Sequence, residues 1–243
     1  MSGKTKIEWT ESTWNPITGC TPISAGCQHC YAARFAKRLQ AMGNPRYKNA
    51  FNVTIHEDLI TLPLKWKKPQ MVFVNSMSDL FHDDVSDETI KSIFHTMNQV
   101  PIHTFQVLTK RAERLASIAP ELNWTNNIWM GVTVESQEYI YRTELLKTTG
   151  AHIKFVSAEP LLSPLGKLEL NGIDWIIVGG ESGPGCRQMK EEWVLELRDK
   201  AEQSNTAFFF KQWGGTNKKK AGSLLQGREY KNYPIIPSEG LAI

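Results

Sequence analysis

Six short apolar runs, rich in β-branched and aromatic residues, recur along this chain at 71–74, 105–108, 128–134, 153–156, 175–178 and 207–210. Each has the length of a strand buried on both faces. Helical patterns separate most of them, at 31–42, 87–98, 110–118, 137–147 and 190–204. The first carries Ala32, Phe35, Ala36 and Leu39 at the spacing of one helical face. The second opens on Ser86-Asp87-Glu88, which puts acids at the positive end of a helix dipole. Strands alternating with helices imply parallel pairing through right-handed crossovers. With a further strand near 12–17, about seven βα-like units are expected. A complete eight-unit barrel takes about 250 residues, and this chain has 243, several of them in long loops. The expected fold is therefore α/β, a partial (β/α)6-7 barrel in a single domain. The barrel is expected over 1–215, with a basic C-terminal extension, 216–243, packed on or near it.

Nearly every run ends in small or charged residues. The ends read Asn75-Ser76-Met77-Ser78-Asp79, Thr109-Lys110-Arg111, Thr133-Val134-Glu135-Ser136, Ser157-Ala158-Glu159-Pro160, Gly179-Gly180-Glu181-Ser182-Gly183 and Lys211-Gln212-Trp213-Gly214-Gly215. In parallel α/β folds the carboxyl ends of the strands share one side, and sites are built there. Any single polar end is explained by the strand having to stop. All six together point to a shared site at the C-terminal ends of the parallel strands.

The cysteines narrow the chemistry. Cys20, Cys27 and Cys30 follow the first expected strand with the spacing C-x6-C-x2-C and run into a helix. No apolar run approaches the roughly 20 residues of a membrane span, and the N-terminus has no hydrophobic segment behind its lysines. The expected location is cytoplasmic, where thiols stay reduced and clustered cysteines indicate metal before disulfide. Three thiolates on a compact loop suit three irons of a cubane cluster and leave the fourth iron open. Gly19, Pro22 and Gly26 suit a loop wrapped closely around an inorganic core. Zinc, with His29 as a fourth ligand, competes, although the usual zinc pattern is two separated ligand pairs. Cys186 is the remaining cysteine.

The three-cysteine loop after strand one resembles that of the radical SAM superfamily. More closely, W-N-P-I-T-G-C, G-C-Q-H-C-Y-A, N-S-M-S-D-L-F, L-T-K-R, V-S-A-E-P-L and G-G-E-S-G-P-G resemble a phage-associated family of uncertain function usually grouped with radical SAM proteins. The likeness runs from about Trp9 to Gly215. The chain departs from the superfamily's common C-x3-C-x2-C spacing. It also has Asn75-Ser76-Met77-Ser78-Asp79 after strand two, where the superfamily carries Gly-Gly-Glu.

The resemblance implies a 4Fe–4S cluster on Cys20, Cys27 and Cys30, S-adenosylmethionine as cofactor, and an external electron donor of flavodoxin or ferredoxin type. Cleavage of S-adenosylmethionine would then yield a 5′-deoxyadenosyl radical that abstracts hydrogen from a substrate. Ser76, Ser78 and Asp79 stand where the superfamily receives the cofactor's amino group, and Lys110 or Arg111 where a cation meets its carboxylate. Thr133, Glu135 or Ser157 suits the ribose, and Gly179 and Gly180 suit the adenine. Glu159, Glu181 and Cys186 are the candidate catalytic groups, Cys186 as a hydrogen-atom donor or a ligand on the substrate side. Duller roles compete: a helix cap for Asp79, solvated helix residues for Lys110 and Arg111, a salt bridge for Glu159, an inert thiol for Cys186. His82 titrates near neutral pH if exposed, and Trp213 is expected to line the site.

The net charge of +3 does not by itself indicate nucleic acid. The stretch 216–231 holds Lys218, Lys219, Lys220, Arg228 and Lys231 against one acid, Glu229, with Tyr230 and Tyr233 expected at the surface. Cations for phosphates and aromatics for bases make a nucleic-acid base or a nucleotide in phage DNA the expected substrate. Two other readings stand beside this one. The first is a metal-stabilised nucleic-acid-binding protein (zinc or iron–sulfur) without catalysis. The second is a hydrolase or transferase built on Glu135, Glu159 and Glu181.

Overall fold

The computed structural model describes residues 3–216 and 221–235. An eight-stranded sheet forms its centre. In chain order the strands are β1 (Gly3–Lys4), β2 (Ser12–Trp14), β5 (Met71–Val74), β6 (Thr104–Thr109), β7 (Ile128–Thr133), β8 (Ile153–Ala158), β9 (Trp175–Gly179) and β10 (Ala207–Gln212). A separate two-stranded pair, β3 (Ile17–Thr18) and β4 (Thr54–Ile55), interrupts the series after β2. From β2 to β10 every neighbour in the main sheet pairs parallel, while β1 pairs antiparallel with β2. Seven parallel strands thus curl into a half-barrel, as the alternation of runs and helices predicts.

Among the described residues six helices serve the sheet: α1 (Tyr31–Ala41), α2 (Glu57–Ile60), α3 (Asp87–Asn98), α4 (Ala112–Ile118), α5 (Tyr141–Lys147) and α6 (Glu191–Gln203). Ser86 caps α3 by accepting the Thr89 amide, with Asp87 and Glu88 in its first turn. The crossover from β8 to β9 has no helix. Pro160, Pro164, Gly166 and Gly172 break any helical period there, and buried Leu161, Leu165, Leu168 and Leu170 cover the sheet instead.

The sheet divides the core. Its convex face, with residues such as Val74, Val107, Val132, Val156, Val178 and Phe210, packs against Ile93, Leu115, Leu197 and other helix residues. Its concave face carries a second cluster of Phe73, Trp129, Phe155, Trp175, Ile177 and Phe209, capped by Trp9 from the β1–β2 turn. Trp129 and Trp175 meet edge to face at 6.0 Å. This aromatic layer plugs the amino-terminal half of the barrel interior.

Along the outer edge of β10 the chain returns antiparallel. The Phe210 amide donates to the Tyr230 carbonyl and the Asn232 amide to the Phe208 carbonyl. Lys231 pairs with Glu8 at 2.9 Å, and Tyr230 is half-buried with its ring edge-on to Phe208. Tyr233 is partly exposed and lies 5.1 Å from the Trp175 ring. The expectation of surface aromatics here is thus corrected for Tyr230: covering an open strand edge brings the segment down onto the sheet. Lys218, Lys219 and Lys220 lie outside the described residues. Among the described residues no helix is long and apolar enough to cross a membrane.

Candidate active site at the strand ends

Strand alternation decides which residues reach the barrel interior. Since Trp129, Phe155, Trp175 and Phe209 face inward, so do Gly131 and Thr133 on β7, Ser157 on β8, and Gly179 on β9. The interior therefore changes from aromatic to polar toward the carboxyl ends. Thr133 and Ser157 are partners in register. Above them, Glu159 accepts a hydrogen bond from the Ser157 hydroxyl at 3.1 Å and pairs with Lys211 at 2.7 Å. A Cβ at Gly179 would come within 2.9 Å of the Glu159 carboxylate, so glycine is what lets that group lie across the strand end.

The cysteine loop sits at this rim. The Gly19 amide donates to the Met77 carbonyl and the Cys20 amide to the Phe51 carbonyl. Cys30 precedes α1, and the Tyr31 hydroxyl donates to the Ser76 carbonyl at 2.5 Å. Glu135, fully buried, anchors the loop from the other side. It pairs with buried Arg142 at 2.9 Å and with Lys110 at 3.4 Å, and accepts a short hydrogen bond from the Ser24 hydroxyl. That same hydroxyl lies 3.5 Å from the Cys27 sulfur. A Cβ at Gly26 would stand 2.5 Å from the Glu135 carboxylate, so no larger residue allows this approach.

All four cysteines are free and partly buried. Burial first, then Asp79, pushes the Cys20 thiol up to about 12; Cys27 and Cys30 add to this, and Arg111 opposes it. A thiolate at Cys20 thus needs a cation against it, which a cluster iron supplies. Among the described residues no three His, Cys, Asp or Glu side chains converge as an ion site. His29 lies instead against the 183–186 turn, its Cε1 2.9 Å from where a Gly185 Cβ would be. Arg111 is buried, with its Nε unpartnered and its Nη2 donating to the Thr21 hydroxyl at 2.9 Å. The unpartnered Nε of Arg111, near Cys20, suits the carboxylate of an amino acid held there. The donor set therefore fits an iron–sulfur cluster with an amino-acid-bearing cofactor.

Other expected residues are tied into the scaffold. Asp79 accepts from the Thr109 hydroxyl (2.7 Å), the Phe81 amide and the Lys110 amide, which joins the β5 and β6 ends. The Ser76 hydroxyl donates to Asn15, and the Ser78 hydroxyl to the Ile17 carbonyl. His82 is buried; burial first and then Arg111 hold it below the ordinary imidazole range. Its Nδ1 accepts the Asp84 amide, so the proton on Nε2 faces the Thr21 hydroxyl at 2.8 Å.

The Gly179–Cys186 loop closes over the cysteine loop. Arg34 donates to the Ser182 carbonyl at 3.1 Å, and Arg187 to the Ala25 carbonyl at 3.0 Å. Glu181 is 6% exposed and grips Arg187 through the backbone amide, Nε and Nη2. Burial alone would raise Glu181, but the hydrogen bonds and charge of Arg187 outweigh it and hold the carboxyl below its usual range. Cys186 is half-buried beside this pair.

Trp213 does not line the site. Its indole packs on Phe210 at 4.9 Å, on the helix side of the sheet, and donates to the Leu224 carbonyl. Sequence reasoning did not single out Lys211, Arg142, Arg187 or Ser24. Strand parity with Phe209 would have marked Lys211. Arg142 lies only seven residues beyond its partner Glu135, but no motif marks the pair, and Ser24 takes its role from that same carboxylate far away along the chain.

A family model described as "Protein of unknown function (DUF5131)" matches residues 4–234. No curated protein matches the chain. Among solved structures, spore photoproduct lyase complexed with dinucleoside spore photoproduct is similar in fold, with a TM-score of 0.50 and 11% identity. A mutant of that lyase with bound AdoMet and dinucleoside spore photoproduct, and another single mutant, are similar at TM-scores of 0.51 and 11% identity. In each case the match covers 84% of this chain and 64% of the other.

Proposed function

We propose that this chain, which belongs to the DUF5131 family, is a radical SAM enzyme acting on a nucleic-acid base or nucleotide. One observation carries the reading: three free cysteines on a loop at the carboxyl rim of a parallel half-barrel, with the buried, unpartnered Nε of Arg111 near Cys20. The AdoMet and dinucleoside named in the similar lyase structure support both cofactor and substrate class.

Cys20, Cys27 and Cys30 would hold a 4Fe–4S cluster, whose chemistry would be to pass one electron from an external donor to AdoMet, giving methionine and a 5′-deoxyadenosyl radical that takes a hydrogen atom from the substrate. Arg111 would bind the AdoMet carboxylate, with Lys110 nearby, and the Ser76–Asp79 loop would receive the amino group. Thr133 and Ser157, on the concave rim, would meet the ribose, and Gly179-Gly180 would lie along the adenine. Glu135 would hold the cysteine loop through Ser24. The aromatic layer beneath excludes water from below. Glu159, neutralised by Lys211, and Glu181, locked to Arg187, would orient the substrate. Cys186 would return a hydrogen atom from its S–H to a substrate carbon radical; the resulting sulfur radical then takes one electron from the external reductant and a proton from water.

The test is anaerobic reconstitution with iron and sulfide, reduction with dithionite, and addition of AdoMet, followed by 5′-deoxyadenosine assay and EPR. We expect 5′-deoxyadenosine from the parent and none from Cys27→Ala. A cluster signal unmoved by AdoMet, with no product, would refute the proposal.

A further inference from the structure

From Ser12 to His56 the chain contains no aspartate or glutamate, yet it carries Arg34, Lys37, Arg38, Arg46 and Lys48. Arg46 is paired with Asp58. Among the described residues no carboxylate lies within ion-pair range of Arg34, Lys37, Arg38 or Lys48. Several surface cations elsewhere do have one, as in Lys91–Glu121, Arg114–Asp87 and Lys231–Glu8.

These cations meet an unusual helix face. On α1, Ala32 and Ala36 are buried. The opposite face presents Tyr31, Arg34, Phe35, Arg38 and Met42, the spacing of one continuous stripe. Tyr31 is 54% exposed, Phe35 46% and Met42 69%, where an ordinary surface helix would be polar. The stripe begins at the site. Tyr31 follows Cys30 and bonds the Ser76 carbonyl, and Arg34 bonds the Ser182 carbonyl of the loop over the cysteines.

We infer that the exposed face of α1 binds a single strand of nucleic acid and leads it into the site, so that the substrate is a residue within a strand. This deepens the proposed function, on which its account of the site's substrate rests. Aromatic rings for bases and guanidinium groups for phosphates alternate along the stripe, matching the alternation of base and phosphate along a strand. A membrane-surface helix would keep its cations on one face and its apolar residues on another. Here Arg34 and Arg38 sit between Tyr31, Phe35 and Met42. The helix is about 16 Å long, enough to hold a few nucleotides. A base in duplex would have to be extruded to reach the site.

The experiment is fluorescence anisotropy of labelled single-stranded DNA, single-stranded RNA and duplex with the reconstituted full chain, over a salt series. Single strands are expected to bind more tightly than duplex, with affinity falling steeply with salt. Phe35→Ala should weaken strand binding about tenfold, whereas Phe35→Tyr should keep it. Lys37→Glu with Arg38→Glu should weaken it further and flatten the salt slope. Lys147→Glu, on α5, is the control and should change nothing. Binding unaffected by the α1 variants, or binding to anionic phospholipid vesicles with none to oligonucleotide, would overturn the inference. The two proposals fail separately. Strand binding through α1 without 5′-deoxyadenosine removes the radical reading and supports this one. 5′-Deoxyadenosine formation by a protein that binds no strand does the reverse.

Discussion

The two halves of the concave face are built from the same strands and do opposite work. Toward the amino ends, Trp9, Phe73, Trp129, Phe155, Trp175 and Phe209 interlock as an apolar plug. Two to four residues further along, the same columns carry Thr133, Ser157, Gly179 and the Glu159–Lys211 pair. The plug draws its stability from buried area, which tolerates no cavity. The rim is held by charges and hydrogen bonds that hold each other in place, which makes it exchangeable in energy but exacting in geometry. Stability and function are thus separated by a few ångströms along each strand.

Truncation in the plug should break the fold before it breaks the chemistry. Trp175→Ala removes a fully buried indole and should cost about 3–5 kcal/mol, read by chemical denaturation. The protein that remains folded should keep its iron stoichiometry. A rim variant that cost as much stability and left iron binding intact would blur the distinction.

The deepest rim residue is the next test. Glu135→Gln leaves Arg142 buried without its counter-charge and should cost about 3 kcal/mol. Because Glu135 also holds Ser24, the variant should retain less iron per folded chain, measured by iron and sulfide analysis. Full iron retention would show that the anchor is irrelevant to the loop.

Lys211→Met acts at a partly exposed pair and should shift stability by about 1 kcal/mol or less. It leaves Glu159 without its cation, so product formation should fall about tenfold while the melting temperature barely moves. A large stability loss with normal turnover would place Lys211 with the plug.

The smallest effect is electrostatic and reads out in acid. The folded Glu181 carboxyl lies below its unfolded value because of Arg187. Its contribution is therefore present above about pH 4 and lost as pH falls through the folded value. The parent's melting temperature should drop more steeply with acid than that of Glu181→Gln. Parallel acid profiles would mean that the Arg187 grip contributes nothing.

Much of the architecture was legible in the chain. The seven strands follow from apolar runs that only a sheet covered on both faces explains. The polar ends of those runs, together with the C-x6-C-x2-C loop, placed the site. The absence of a helix between β8 and β9 was less visible, since its prolines and glycines could equally have been loops around a short helix. Charge was legible only as composition, and Lys218, Lys219 and Lys220 lie outside the described residues. The run ending at Lys231 drew attention because its lysines are adjacent, yet Lys231 is tied to Glu8 and its neighbour Tyr230 packs on Phe208. The acid-free span around α1 is just as plain in the sequence, but its meaning depends on which helix face is outward.

What the sequence determined by itself is periodic or local: strand against helix, the side of the sheet that carries the candidate site, the three thiols on one loop. Parity within a strand and spacing within a loop are set by covalent geometry and survive any packing. What tertiary structure decided is which charges meet. Glu135 finds Ser24 and Lys110, Glu159 finds Lys211, and Trp213 turns to the helix side, because contacts between distant segments depend on strand order and curvature. No local pattern encodes those, and in a half-barrel they determine whether a carboxylate faces a cofactor or holds the loop that binds one.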